Sequence, residues 1–288
     1  MDIGQLVAQH EMAIRLGCFL GIFGLMAVWE WLAPKRPLSV PKAIRWGNNL
    51  GIVVLNSFVV RLLFPAAGVG MAVFAEAGRW GLLHHYAVPF WAAVVVSVVV
   101  LDFVIYLQHV MVHALPMLWR LHRVHHADLD FDVTTGARFH PLEIVLSMLI
   151  KFAIIVLLGP PVLAVVIFEV LLNATSMFNH GNVALPQGLD RVLRWLVVTP
   201  DMHRVHHSVT DDETNSNFGF NLPWWDRLLG TYRDQPAAGH ERMTIGIGTY
   251  RDRKSCSWLP GMLAMPFRGR VEDYAINRRQ WESTDAVR

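Results

Sequence analysis

Cysteine is nearly absent: two in 288 residues, Cys18 and Cys256, far apart and in no CxxC pair. That argues against a disulfide scaffold or a thiolate metal site. Charge is scarce as well. Asp, Glu, Lys and Arg make up 17% of the chain, where an ordinary soluble domain carries about a quarter. The net charge is only +2 and no basic tract is interleaved with aromatics, so nothing points to nucleic acid as a partner. No segment is of low complexity. Met1 to Gln9 lack the positive stretch of a signal peptide, and no small-residue cleavage site follows the first apolar run. That run is therefore expected to be retained as a span.

Apolar residues fill the space: 53% of the chain is hydrophobic and falls in long runs, the pattern of an integral membrane protein. Ala13 to Ala33 is long enough to cross, with Arg15 and Glu30 placed at its interfaces. Lys35, Arg36, Lys42 and Arg45 follow, which puts this loop in the cytoplasm under the positive-inside rule. A second stretch runs from Leu50 to about Phe74. Arg61 interrupts it, either paired for a function or snorkelling to an interface. Arg79 to Pro89, with His84 and His85, is a connection on the far side. Phe90 to Leu107 returns. Ile144 to Leu158 and Val162 to Met177 form two apolar arms around Gly159-Pro160-Pro161, read as a hairpin that dips in or as two tilted spans. Glu169 is a buried-charge candidate in the second arm.

Against this background one pentapeptide appears twice: His122-Arg123-Val124-His125-His126 and His203-Arg204-Val205-His206-His207, 81 residues apart. The flanks differ, so the chain is not a duplicated domain; the same chemical demand is met twice. His109 and His113 precede the first copy. Residues three and four apart share a helix face, so each group presents its imidazoles together. Imidazole is the commonest side-chain metal ligand. These eight exceed what one four- to six-coordinate ion takes, and two ions fit better. All three groups lie next to span ends on the side assigned to the cytoplasm, whereas His84 and His85 lie across the membrane. Asp128, Asp130 and Asp132 are expected to be solvated or to cap helices.

Neutral nitrogen donors suit zinc, iron, copper or nickel, not calcium or magnesium. Structural zinc usually takes cysteine too, and a hydrolytic zinc needs only about three ligands; with His180 counted, nine histidines are too many. Two metals at a bilayer face suit dioxygen activation on a lipid. Two other classes compete. A metal transporter or metal-binding membrane protein would line a path with histidines inside its spans. A membrane zinc hydrolase would need a carboxylate base beside the metal, for which Glu143 and Asp201 are available.

The order HxxxH (His109, His113), HxxHH (His122 to His126), a lone histidine in Asn179-His180-Gly181-Asn182 and HxxHH (His203 to His207) resembles the fatty acid hydroxylase and sterol desaturase superfamily. So do Arg138-Phe139-His140-Pro141-Leu142-Glu143, Thr199-Pro200-Asp201-Met202-His203 and Trp225-Asp226-Arg227-Leu228-Leu229-Gly230-Thr231-Tyr232, which look like its bacterial members. The resemblance covers roughly Asp102 to Tyr232. It implies an integral-membrane, non-haem di-iron enzyme that uses O2 to hydroxylate or desaturate a lipid drawn from the bilayer. It implies His109, His113, His122, His125, His126, His180, His203, His206 and His207 as metal ligands. Some branches carry a further histidine before the last cluster; Gly181-Asn182-Val183-Ala184 has none, so Asn182 fills a polar role there or that ligand is missing. His140 matches a histidine of the sterol desaturase branch, as an extra ligand or a residue behind one. Asp102 and Asp201 are candidates to orient ligand imidazoles from behind, and Asp102 is equally read as a buried polar residue satisfied by a neighbouring helix. No cytochrome-type domain is fused, so electrons are expected from a separate protein. Zinc outcompetes ferrous iron for nitrogen donors and can replace the two iron ions in purified material.

The expected architecture is therefore all-α: a membrane bundle of about four spans with a cytoplasmic, histidine-rich helical cap. It forms a single membrane domain over 1–288, with N-terminal spans in 1–100, the catalytic region in 101–235 and a cytoplasmic tail in 236–288. The expected location is a bacterial inner membrane.

Overall fold

Apolar length decides the frame. In the computed structural model, which describes residues 3–269, five segments are long and apolar enough to cross a bilayer: Leu6–Leu32, Lys42–His85, Phe90–Ala114, Pro141–Leu158 and Val162–Asn179. Helix α1 (Ile3–Leu32) supplies the first. The second is α2 (Lys42–Leu63), then a break at Pro65, then α3 (Ala67–Ala77) and the short α4 (Leu82–His85). The third is α5 (Phe90–Ala114), which runs into α6 (Pro116–His126). Helices α7 (Pro141–Leu158) and α8 (Val162–Asn179) are the two arms. Each has 18 residues, about 27 Å at 1.5 Å per residue, close to a hydrocarbon core of about 30 Å. Both arms are long and apolar enough to cross, so of the two readings left open by the sequence the two-span one fits better, giving five candidate spans among the described residues. Large apolar side chains such as Leu25, Phe58 and Leu157 stand exposed on the bundle, as a lipid-facing surface requires.

Two glycines close the far end of the bundle. Gly159 ends α7 at φ +67°, and Gly81 lies so close that a Cβ on it would meet the Gly159 nitrogen at 2.2 Å. Leu83 of α4 packs there on Ala93 and Leu158. The charges inside the bundle are paired: Lys151 Nζ donates to Glu169 Oε1 at 2.8 Å and Arg15 lies 3.3 Å from Glu169 Oε2. Arg61 sits exposed in the last turn of α2, where it can snorkel.

The other end carries a cap of short helices: α6, α9 (Gln187–Leu193), α10 (Pro200–His206), α11 (Asp211–Thr214), α12 (Trp224–Leu229), α13 (Arg253–Ser257) and α14 (Leu259–Ala264). Among the described residues there are no strands, only isolated bridges such as Pro34 with Val183. Residues expected to be solvated or interfacial tie the cap together instead. Asp128 accepts two bonds from Arg45 (3.0 and 2.8 Å) and one from Thr135 (2.9 Å). Asp132 pairs with the same guanidinium, and Asp130 accepts from the backbone of Ser39 and Val40 at 2.8 Å each. Glu30 is buried and accepts from the Val133 (2.6 Å) and Asn182 (2.9 Å) amides. A buried acid stays only where donors replace its water, and here cationic and backbone donors do so. Burial alone raises the Asp128 pKa, but Arg45 and Arg138 hold it well below the usual carboxylate range.

The segment after Tyr232 folds back over this cap. Met243 and Ile245 pack on Phe131, while Cys256, Met262 and Met265 join Ile52, Val124 and Ala127 in one buried cluster. The part of the expected tail beyond residue 269 lies outside the described residues.

Candidate metal centre

Four elements deliver nine histidines to one buried place where the bundle meets its cap. His109 and His113 lie one turn apart at the end of α5. The first pentapeptide closes α6, and the second forms α10 and its C-cap. His180 caps the C-terminus of α8. All nine are buried. They divide into two groups: His109, His113, His122, His126 and His206, then His125, His180, His203 and His207. Within each group one nitrogen per ring lies within 4.8 Å of all the others.

The division corrects the simple reading of one shared helix face. Residues four apart stay together, while the residue between them is turned by about 60° from the one three places before it and about 100° from the one that follows it. So His122 and His126 enter the first group and His125 the second; in the other copy His203 and His207 enter the second and His206 the first. The two copies are crossed.

Proton placement tests whether these groups fit metal ions. A carbonyl can only accept, so the imidazole nitrogen facing one must carry the hydrogen. His109 Nδ1 donates to the Phe218 carbonyl (2.8 Å), His180 Nδ1 to that of Ser176 (2.8 Å) and His206 Nδ1 to that of Ser216 (2.7 Å). His122 Nδ1 donates to Glu143 Oε1 at 2.7 Å. The Nε2 atoms of these rings are then bare lone pairs. Yet His109 and His206 bring theirs to 3.0 Å, with no hydrogen available between them. Similar Nε2 pairs are His113 with His126 (3.1 Å), His125 with His180 (3.2 Å) and His180 with His203 (3.1 Å). Two nitrogens about 2.0–2.1 Å from one ion stand about 2.9 Å apart at a right angle. The donor set fits a cation in each group.

The surroundings keep the rings neutral and dry. Burial first, and the nearby His122 imidazole with it, pushes His180 and His206 down to about 3. His125, His126, His203 and His207 are likewise held well below the ordinary value by burial and by each other. Phe139 stacks on His125 at 4.5 Å, Phe131 lies 5.1 Å from His207, Phe218 5.1 Å from His113 and Phe220 6.1 Å from His203.

The supporting residues are not those expected. Asp102 accepts from the Asn221 and Leu222 amides (3.3 Å each) and from Trp225 Nε1 (2.7 Å), not from an imidazole. Asp201 is paired with Arg204 and with Lys35 (3.3 Å). Asn182 bonds the backbone of Arg36, as acceptor at 3.0 Å and donor at 2.8 Å, and fills no ligand position. His140 lies outside both groups; it caps α7 by accepting from the Leu142 amide, and its Nε2 faces the Leu263 carbonyl at 3.3 Å. His84 and His85 sit in α4 at the far end.

The carboxylate that does orient a histidine is Glu143, weighed from sequence only as a hydrolytic base. Its place in the first turn of α7 sets it against His122. Asp226 was missed too. Burial pushes it up to about 7. It accepts from the Phe218 and Gly219 amides (2.8 Å each) and from the Thr231 hydroxyl (2.7 Å). This fixes the loop whose carbonyl holds His109. Asn217, at φ +51°, does the same beside Ser216 by donating to the Met202 carbonyl (2.9 Å). Its side-chain amide was the available signal, since asparagine tolerates the left-handed region.

Similarity to known proteins fits this arrangement. The fatty acid hydroxylase family model matches residues 94–231, the stretch that carries every one of the nine histidines. Ornithine lipid hydroxylase OlsE of Rhizobium tropici is 32% identical over 268 residues, covering 88% of this chain and 76% of that one. The chain belongs to the fatty acid hydroxylase family. Alkylglycerol monooxygenase of Xenopus tropicalis is 25% identical over 80% of this chain and 48% of its own, and the Homo sapiens protein 26% over 51% and 31%. This chain thus spans about half or less of those monooxygenases. No solved structure matches. Membership makes the protein an oxidoreductase of the class that hydroxylates or desaturates lipids, and its histidine groups are the residues that could hold metal.

Proposed function

We propose that the protein is a di-iron lipid hydroxylase that draws its substrate from the bilayer, uses O2, and takes electrons from a separate donor protein. The observation that carries this is the pair of buried histidine groups whose Nε2 atoms face each other at 3.0–3.2 Å, with no hydrogen available between His109 and His206, at the junction of spans and cap. His109, His113, His122, His126 and His206 hold one ion, and His125, His180, His203 and His207 the other. When bound, the irons supply the electrons and coordination positions at which O2 is activated toward a C–H bond. The chain supplies the rest. Carbonyls of Phe218, Ser176 and Ser216 and the Glu143 carboxylate fix which ring nitrogen faces inward, and phenylalanines exclude water. Hydroxylation is favoured over desaturation because the relatives are named as a hydroxylase and monooxygenases. Their substrates suggest a polar membrane lipid, with ornithine lipids and alkylglycerols as the first to assay. Lys35, Arg36, Lys42 and Arg45 flank the cap end of α1 and α2, which supports a cytoplasmic cap in a bacterial inner membrane.

The test is lipid mass spectrometry of cells with and without the gene, grown under heavy-isotope dioxygen. A lipid that gains one labelled oxygen supports the reading. A product two hydrogens lighter and unlabelled means desaturation instead. No change in any lipid, with iron-loaded protein and a working reductase present, favours a metal-binding role.

A further inference from the structure

The cap exposes an apolar ledge that the metal chemistry does not use. Val192, Trp195 and Leu196, in and just after α9, are 58–62% exposed, and Leu228 of α12 is 73% exposed. The two helices form one surface. Trp224 Nε1 donates to the Trp195 carbonyl at 2.8 Å, and the Arg227 guanidinium stacks 3.8 Å over the Trp195 ring and 3.9 Å from Tyr232. The charges at its rear are tied back: Arg194 pairs with Asp190 and Asp234.

Its depth follows from its anchor. The chain entering α12 is bound to a membrane helix through Asp102, which accepts the Asn221 and Leu222 amides and the Trp225 indole, while Phe103 packs 4.7 Å from Trp225. Asp102 lies twelve residues along α5 from Phe90, about 18 Å from the far edge and so about 12 Å short of the near edge of a ~30 Å core. Irregular backbone is tolerated at such depth only where its amides are bonded to protein. Asp102 meets that demand for Asn221 and Leu222.

We infer that the ledge of α9 and α12 lies within the leaflet on the metal-centre side, with Val192, Trp195, Leu196 and Leu228 among the acyl chains. The occupant of this face is lipid, because the ledge is tied to the spanning helix α5 at bilayer depth through Asp102 and Phe103 and pairs tryptophans with a stacked arginine, as interfacial elements do. The inference rests on the spans and the Asp102 anchor, not on the metal. Through Phe220 and Phe218 the same segment packs on His203 and His113.

Spin labels test this in the full chain reconstituted in phosphatidylethanolamine–phosphatidylglycerol nanodiscs, in a Cys18→Ser background. Val192→Cys and Leu228→Cys are labelled, with Leu157→Cys as the lipid-exposed standard and Glu241→Cys as the aqueous one; all four positions are exposed, so folding is not at issue. The expected result is strong relaxation by oxygen and weak relaxation by a water-soluble nickel chelate at both ledge positions, as at residue 157. Strong relaxation by the chelate, as at residue 241, places the ledge in water and overturns the inference. Shielding from both reagents means that a second copy or another protein covers the face, and overturns it equally. Either outcome leaves the metal reading intact, since no histidine is touched.

Discussion

The two copies of His-Arg-Val-His-His have identical sequence and opposite assignments. The first sends two imidazoles to the five-histidine group and one to the four-histidine group; the second does the reverse. Their arginines differ too. Arg123 donates to the carbonyls of Met265 and Arg268 and lies under Tyr250 (4.9 Å), whereas Arg204 pairs with Asp201 and faces Phe131 (5.3 Å). Both valines are fully buried, in different surroundings. A five-residue pattern thus sets how three donors are spaced. Which group each donor joins is set by how the helix is rolled against its neighbours.

Removing one donor from each copy probes that crossing most strongly. His122→Ala is expected to empty the five-histidine group and His203→Ala the four-histidine group, each taking a chain that binds about two ions to about one and abolishing turnover, since a site this enclosed has no replacement ligand. Metal analysis with activity on the same samples checks it; loss of both ions in either variant would mean that the groups form one cooperative site.

A smaller effect separates the groups without removing a ligand. Glu143→Gln is expected to weaken metal binding by about 10–100-fold at the first group only, as outer-shell changes do. Equal weakening at both sites, read by competition with a chelator, would deny Glu143 its specific link to His122.

Next comes Asp226→Ala, which orphans the Phe218 and Gly219 amides behind His109. A loss on the order of 1–3 kcal/mol per stranded donor is expected, seen as a lower Tm with both histidine groups still able to load.

The metal-free protein should also lose stability in acid. His180 and His206 are held at about 3 in the fold, against 6.5 when free. The unfolded chain therefore binds more protons, so stability falls as pH drops from about 6.5 toward 3. Denaturant unfolding at pH 7 and pH 5 reads the difference; equal midpoints would show that the rings are already protonated in the fold.

Smallest of all is His85→Ala. Exposed in α4 at the far end, it should leave metal content and turnover within error. Loss of activity with a normal melting curve would place the far end in the reaction.

Several features were legible before any coordinates. Hydropathy alone placed the apolar runs, because a span must satisfy its backbone within one helix. The histidine motifs and the family resemblance picked out the nine imidazoles that the fold brings together, because residues three and four apart lie near one another on a helix whatever surrounds them. Tertiary structure decided the rest. Sequence could not split His125 from His122 and His126, because that depends on the roll of α6 against α10. It could not choose between an imidazole and a neighbouring element as the partner of Asp102, and it offered Asp201 as an imidazole partner, because nearness in sequence says nothing of the Trp225 indole or the Arg204 guanidinium that claim them. It read Asp128, Asp130 and Asp132 as solvated, since their partners Arg45, Ser39 and Val40 lie more than 80 residues away. Glu143 shows the boundary best. A carboxylate one turn into a helix looks like any N-terminal acid in sequence; only the packing of α7 against α6 brings it to His122 Nδ1.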